Sequence, residues 1–305
     1  MIVRPRPNFL QLFFILRGSI VPRIYPGILA TAALSALVAW LHQTRPGLLP
    51  SFSGGPFALI GIALSIFLGF RNNACYDRWW EARRQWGELV AISRSFARQT
   101  MILPPEERRR LLTLAIAFAQ ALVVHLRPSG GPGGDAGKAT RDLPPEALAA
   151  FRAGRNPPEA LLGCIAARLA GLRGAGAIGD IPWQVLDQTV GRMTMVQVAC
   201  ERLRGTPVPF GYTLLLHRTA YLFCILLPFG FADALGWGTP LAAALVAYAI
   251  FGLDALGDDL EQPFGDLANG VPIAALADTI DLNLREAMGE ADLPAAPEPR
   301  DFVLM

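Results

Sequence analysis

The stretch that decides the fold is PFALIGIALSIFLGFRNNACYDRWWEARRQWG, residues 56–87. Its first part, Pro56 to Phe70, contains no charged side chain. At a rise of about 1.5 Å per residue, a helix of that length crosses most of the roughly 30 Å apolar interior of a bilayer. The helical pattern continues past Arg71 into a charged segment. We therefore predict one long helix that leaves the membrane and continues in water.

Three further apolar segments predict membrane spans: Tyr25 to His42, Thr219 to Ala234 and Gly238 to Gly257. The chain as a whole is too apolar for an ordinary soluble enzyme, because only 17% of its residues are charged and its mean hydropathy is +0.37. The turn at Leu235 to Trp237 is too short to hold a domain. The sequence thus predicts an all-α integral membrane protein with four spans in two hairpins.

Basic residues predict how these spans are oriented. Only Arg45 lies between the first two spans, whereas arginines flank the pair on both sides: Arg4, Arg6, Arg17 and Arg23 before it, and Arg71, Arg78, Arg83 and Arg84 after it. The positive-inside rule then places both termini and the central region in the cytoplasm. The short apolar run Phe9 to Leu16 has no cleavage site at a usual distance, so it predicts an interfacial helix and not a signal peptide.

The central region, about 71–215, predicts cytosolic helices separated by glycine-rich linkers. The helices cover about 71–100, 105–126, 144–172 and 182–205, and the linkers are 129–137 and 171–179. Leu111 to Leu126 is apolar enough to raise the alternative of a fifth span, but its length and the preceding arginines favour a buried helix. The tail, 281–305, is rich in Ala, Pro and Glu and is expected to be extended, either disordered or laid along a neighbouring subunit.

Ile62, Ile66 and Phe70 form an apolar stripe on the second span, because residues four apart share one helix face. If several copies of the chain met around an axis, the stripe would make a narrow neck that gates by dewetting. The alternative is that these side chains face lipid or a protein core. Periodicity alone does not decide between the two.

The segment that follows carries a family resemblance. The paired Trp79 and Trp80, framed by Arg78 and Glu81, resemble the signature of the bestrophin family. Two further stretches are similar to bacterial bestrophin homologues: 201–231, ERLRGTPVPFGYTLLLHRTAYLFCILLPFGF, and 257–272, GDDLEQPFGDLANGVP. The three blocks occur in the order that the family has and cover both halves of the chain.

This resemblance implies a homopentameric ion channel in the bacterial inner membrane, with four spans per subunit, a large helical cytosolic region and one central pore. Its partners would be its own copies, membrane lipid and permeant monovalent ions. The family's neck positions, counted back from Trp79, fall on Phe70, Ile66 and Ile62, the stripe that periodicity also selects.

The resemblance also implies a second constriction at the cytosolic mouth of the pore. Ile181 is the first candidate for this aperture and Ile178 the second, because Pro182 suits a first helical turn and so marks where the helix begins. Asp180 either contributes a ring of carboxylates at the mouth or caps the helix.

Calcium binding is where the sequence departs from the animal members of the family. Their PFG motif precedes a dense acidic run, whereas here Pro263 to Gly265 are followed by one carboxylate, Asp266, before Leu267. Calcium needs six or more oxygen ligands. We therefore expect no calcium site of that type, and the scattered histidines and cysteines predict no other metal site and no cofactor.

Other classes of function fit less well. A secondary transporter is the main alternative, but the two hairpins lack the matched broken helices that transporters show. No nucleophile motif or phosphate-binding glycine pattern favours an enzyme, and the histidines have no partner at catalytic spacing. A net charge of +2 without an unexplained basic patch does not favour nucleic-acid binding. Whether cations or anions permeate is left open.

Overall fold

The structure, a computed structural model, describes residues 1–5, 7–16, 18–45, 47–48, 52–127 and 135–304. Arg6 and Arg17, used above to orient the spans, lie outside the described residues. The described chain forms eleven α-helices: α1 Phe9–Phe14, α2 Val21–Thr44, α3 Gly54–Gln99, α4 Pro105–Leu126, α5 Ala136–Thr140, α6 Pro145–Ala153, α7 Pro157–Gly174, α8 Asp180–Gly205, α9 Phe210–Leu235, α10 Thr239–Glu261 and α11 Ile273–Ala287.

The helices belong to two compact units. The span unit comprises Pro5–Arg78 and Pro207–Glu261, and the helical unit comprises Met1–Arg4, Trp79–Thr206 and Gln262–Met305. The long helix α3 contributes its first part to the span unit and its second part to the helical unit. The all-α membrane fold with four apolar spans is confirmed, as is the prediction that the second span continues as one helix beyond Arg71.

In the span unit, α2 packs against α9 and α10, and α9 packs against α10. Leu64 and Leu68 of α3 join the same apolar cluster, beside Phe223 and Leu227 of α9 and Ala247 of α10. A short 3-10 turn, Gly236–Gly238, connects α9 to α10, and Gly236 has a positive φ of 48° that favours glycine. This turn confirms the predicted tight second hairpin.

Helix α4 is the buried centre of the helical unit. Its sequence is long and apolar enough to span a membrane, but 72% of its apolar window is buried inside the chain, against 28% for α2 and 17% for the segment that contains α3. It packs against α7, α8 and α11. This burial supports the interpretation of 111–126 as a buried helix.

Replacing Leu122 of α4 by Ala is expected to destabilise the helical unit. The Leu122 side chain is fully buried in the core, so the change removes apolar contacts and leaves a cavity. The expected loss in the free energy of unfolding is about 2–5 kcal/mol. Thermal unfolding of the purified protein in detergent measures it, and an unchanged melting temperature would contradict the packing described here.

Two predictions about helix boundaries are wrong. The segment predicted as one helix over 144–172 is two, because Gly154 leaves the helix and Asn156 caps α7, whose first residues are Pro157 and Pro158. The tail is also helical for longer than predicted. Helix α11 extends to Ala287, since Leu284 is fully buried and Arg285 binds Asp281 one turn earlier at 2.6 Å.

The remaining expectations about irregular segments have mixed outcomes. Most of the linker 129–137 lies outside the described residues, and its end begins the short helix α5, which Asp135 caps. The last part of the tail pairs with the first residues of the same chain: the Val3 amide donates to the Phe302 carbonyl at 2.9 Å, and the Leu304 amide to the Met1 carbonyl at 2.9 Å. Here the tail lies along its own subunit.

Candidate pore-lining surface

Helix α3 has two faces in the span unit. Leu64, Leu68, Arg71 and Cys75 recur every three or four residues and are all buried within the chain. The opposite face carries Ile62, Ile66 and Phe70, whose exposed fractions are 60%, 52% and 61%. The sequence-predicted neck residues therefore share one apolar surface that their own chain leaves uncovered. Such a surface marks contact with lipid, with other protein or with a pore.

Close packing inside the chain accounts for one of the small residues near the stripe. A Cβ atom at Gly61 would lie 3.1 Å from the Phe223 ring, so Gly61 allows α9 to approach α3. At Gly69, by contrast, no atom lies within 4 Å of such a Cβ. Gly61 thus serves the packing of the subunit itself, while Gly69 leaves open space beside Phe70.

A buried ion-pair cluster fixes α3 immediately after the stripe. The side chain of Arg71 is fully buried and pairs with three acids of α10: Asp254 at 2.9 Å, Asp258 at 2.5 Å and Glu261 at 3.2 Å. Burying charged groups is costly unless they are paired and hydrogen-bonded, so these contacts hold the two helices in one register. Asp258 and Glu261, which precede the PFG motif in the sequence, thus pair with an arginine of the helix that carries the second span.

Gly257 allows α10 to lie close to α3 at this cluster. A Cβ atom there would lie 2.7 Å from Asn72 Oδ1 and 3.1 Å from Arg71 Nη1. Any side chain at this position would therefore displace α3 or break the ion pairs. The glycine positions the acidic end of α10 against the end of the stripe.

His217 and Arg23 extend the cluster to α9 and α2. His217 Nδ1 lies 2.5 Å from Asp254 Oδ2, and its Nε2 lies 3.5 Å from Asp258 Oδ1. Arg23 pairs with both Asp258 and Asp259. Four helices of the span unit therefore meet in one charged network.

The sequence interpretation missed two parts of this network. The side chain of Asp254, an acid inside the fourth predicted span, is only 7% exposed and is paired with Arg71. His217 has no partner at catalytic spacing in the sequence, and its acids lie 37 and 41 residues further along the chain, where no local spacing reveals them. The sequence did contain two signals: Asp254 is an acid inside an apolar span, and His217 is a basic residue beside another span.

In the helical unit, the double tryptophan contacts the loop that follows the PFG motif. The Trp79 indole N–H donates to the carbonyl of Asn269 at 2.9 Å. Asp266 Oδ1 lies 3.6 Å from Nη1 of Arg127, whose side chain is almost fully buried. Burial lowers the pKa of Arg127, and the Asp266 carboxylate opposes that shift. Two stretches far apart in sequence thus form one structural element around the PFG loop.

The two aperture candidates have different environments. Ile178 is only 7% exposed and belongs to the core of the helical unit, whereas Ile181, in the first turn of α8, is 76% exposed. Asp180 does not cap α8, because Gly179 occupies the N-cap position. The Asp180 carboxylate instead accepts from Arg173 Nε at 2.7 Å. Ile181 is the candidate that presents its side chain outside the core.

Comparisons with known proteins point to one family. The family model described as Bacterial/Fungal Bestrophin protein matches residues 1–286. The chain is 47% identical over 307 residues to a voltage-dependent anion channel-forming protein of Mesorhizobium japonicum, covering 99% of this chain and 97% of the relative. It is 37% identical to a protein of the same description from Escherichia coli, covering 97% and 96% of the two chains.

Solved structures are similar too. The crystal structure of a bacterial bestrophin homologue from Klebsiella pneumoniae matches with a TM-score of 0.81 and 36% identity. The match covers 87% of this chain and 98% of that one.

Proposed function

The chain belongs to the bacterial and fungal bestrophin family, and from this premise we propose that it is the subunit of a homopentameric channel for passive ion conduction. The family and the descriptions of its relatives are those of channel proteins, so the chain is not an enzyme. The observation that carries the proposal is the uncovered apolar face of α3. Around a central axis, five copies of Ile62, Ile66 and Phe70 would surround the water path as the neck.

The permeation mechanism follows from the chemistry of that face. Aliphatic and aromatic side chains supply no ligand to replace the water around an ion. An ion therefore passes only when the neck is wide enough and filled with water. The Arg71 cluster supports this function because it fixes the helix that carries the neck. The relatives are described as anion channel-forming proteins, and the sign of the permeant ion is a measurable property of this chain.

Channel recording tests the proposed function. Purified protein is reconstituted into planar bilayers under asymmetric salt, where we expect discrete current steps and a reversal potential that reports the cation-to-anion permeability ratio. Matched bilayers that receive detergent alone are the control. Reconstituted protein that carries no current above this control would overturn the proposal of passive conduction.

Two features support further parts of the proposal. Asp266, the one carboxylate directly after the PFG motif, already pairs with Arg127, which favours a channel that works without a calcium site there. The arginines that flank the first two spans support insertion in the bacterial inner membrane with both termini in the cytoplasm.

Replacing Ile181 by Ala is expected to change conduction without changing stability. We propose that its exposed side chain forms the cytosolic aperture, so shortening it would raise the single-channel conductance while altering the free energy of unfolding by less than about 0.5 kcal/mol. Ile178→Ala is the matched control: its buried side chain predicts a loss of about 2 kcal/mol or more. Unchanged conductance in Ile181→Ala would remove the aperture assignment.

A further inference from the structure

The exposed face of α3 continues beyond the apolar stripe with polar residues. Counting from Ile66 and Phe70, the helical repeat next reaches Asn73 and then Asp77, three and seven residues after Phe70. Both side chains are exposed. At about 1.5 Å per residue, Asp77 lies roughly 10 Å along the helix from Phe70. The face that presents the proposed neck therefore also presents a carboxylate beside it.

The arginines of α3 on either side of Asp77 are engaged by other groups. Arg71 is buried against α10 and satisfied by three acids. Arg78 directs its Nε to the backbone carbonyl of Glu261 at 3.4 Å. Further along α3, the Arg84 side chain pairs with Glu81. Within the described ranges, no residue forms an ion pair with Asp77, so its charge is not neutralised by its own chain.

We propose that Asp77 is a selectivity-determining residue that favours monovalent cations over anions at the cytoplasmic end of the neck. This inference depends on the proposed channel, because only an assembly around the α3 faces brings the Asp77 carboxylates of several subunits to one water path. A ring of carboxylates raises the local concentration of cations and opposes the entry of anions. The apolar neck contributes no such sign preference, since the cost of dehydration applies to ions of either charge.

The test compares reversal potentials of wild type, Asp77→Asn and Asp77→Lys in the same asymmetric gradient of sodium chloride. We expect the sodium-to-chloride permeability ratio to fall severalfold in Asp77→Asn and further in Asp77→Lys. Asp292→Asn removes an exposed carboxylate from outside α3 and should leave the ratio unchanged. The effect of Asp77→Asn should also be larger in about 0.1 M salt than in about 1 M salt, because the screening length falls from about 10 Å to about 3 Å.

The outcomes separate this proposal from the proposed function. If wild type conducts and Asp77→Asn keeps the wild-type permeability ratio, Asp77 does not set selectivity and only this inference is overturned. If wild type carries no current, the proposed channel itself fails. If Asp292→Asn shifts the ratio as much as Asp77→Asn does, the effect is one of general surface charge, and the assignment to Asp77 is overturned as well.

Discussion

Replacing Arg71 by Met is expected to lower the free energy of unfolding by about 3–5 kcal/mol, because it leaves Asp254, Asp258 and Glu261 without their buried cation. The three carboxylates lose hydration water on folding, and the Arg71 guanidinium compensates for that loss. A methionine side chain of similar length supplies neither a charge nor hydrogen-bond donors. Thermal unfolding of the purified variant, compared with wild type in the same detergent, measures the loss.

Arg84→Gln is the matched control for this experiment. Arg84 also lies on α3 and also pairs with an acid, Glu81, but its side chain is 65% exposed. Exposed pairs of this kind contribute less than about 1 kcal/mol. If both variants unfold at the wild-type temperature, the Arg71 cluster does not anchor α3, and its support for the position of the neck is lost.

Replacing Ile62, Ile66 and Phe70 together by Ala is expected to raise the ion current about tenfold, which corresponds to a barrier lower by about 1.4 kcal/mol. Shorter side chains widen the neck and allow water to fill it, so ions pass with less dehydration. The exposed positions of all three side chains in the subunit predict little change in its folding. Single-channel recording of the triple variant under the conditions used for wild type gives the result.

Leu241→Ala combined with Leu245→Ala provides the control for the neck variant. These leucines of α10 are also exposed apolar residues of a span, at 69% and 62%. We place them outside the neck, so their replacement should leave the current at the wild-type level. A triple neck variant with wild-type current and gating would contradict the neck assignment.

The parts of the fold that follow from local patterns were predictable from the sequence. Apolar length located the spans, but length and composition alone also select α4, which is set apart by the 72% of its apolar window that is buried inside the chain. The break between α6 and α7 does not follow from helix propensity, because alanine and leucine on both sides of 154–158 favour one helix. The asparagine cap and the two prolines oppose that propensity and mark the break.

The candidate site was predictable only in part. The spacing of Ile62, Ile66 and Phe70 selects one helix face, and the structure shows that this face is exposed. The partners of Arg71 and His217 were not predictable in full, because their positions depend on how α9 and α10 pack against α3 and not on any repeat within one segment. The close approach at Gly257 was not predictable either, because a single glycine in an apolar helix does not indicate which residue of another helix lies against it.

The position of the α3 stripe in the assembled protein tests the central claim most directly. A structure of the purified protein in lipid nanodiscs, determined by electron cryomicroscopy, would locate Ile62, Ile66 and Phe70 relative to any symmetry axis. We predict five subunits whose stripes face one another across a single axial opening. A monomer, or an oligomer in which these side chains face the lipid, would contradict the account.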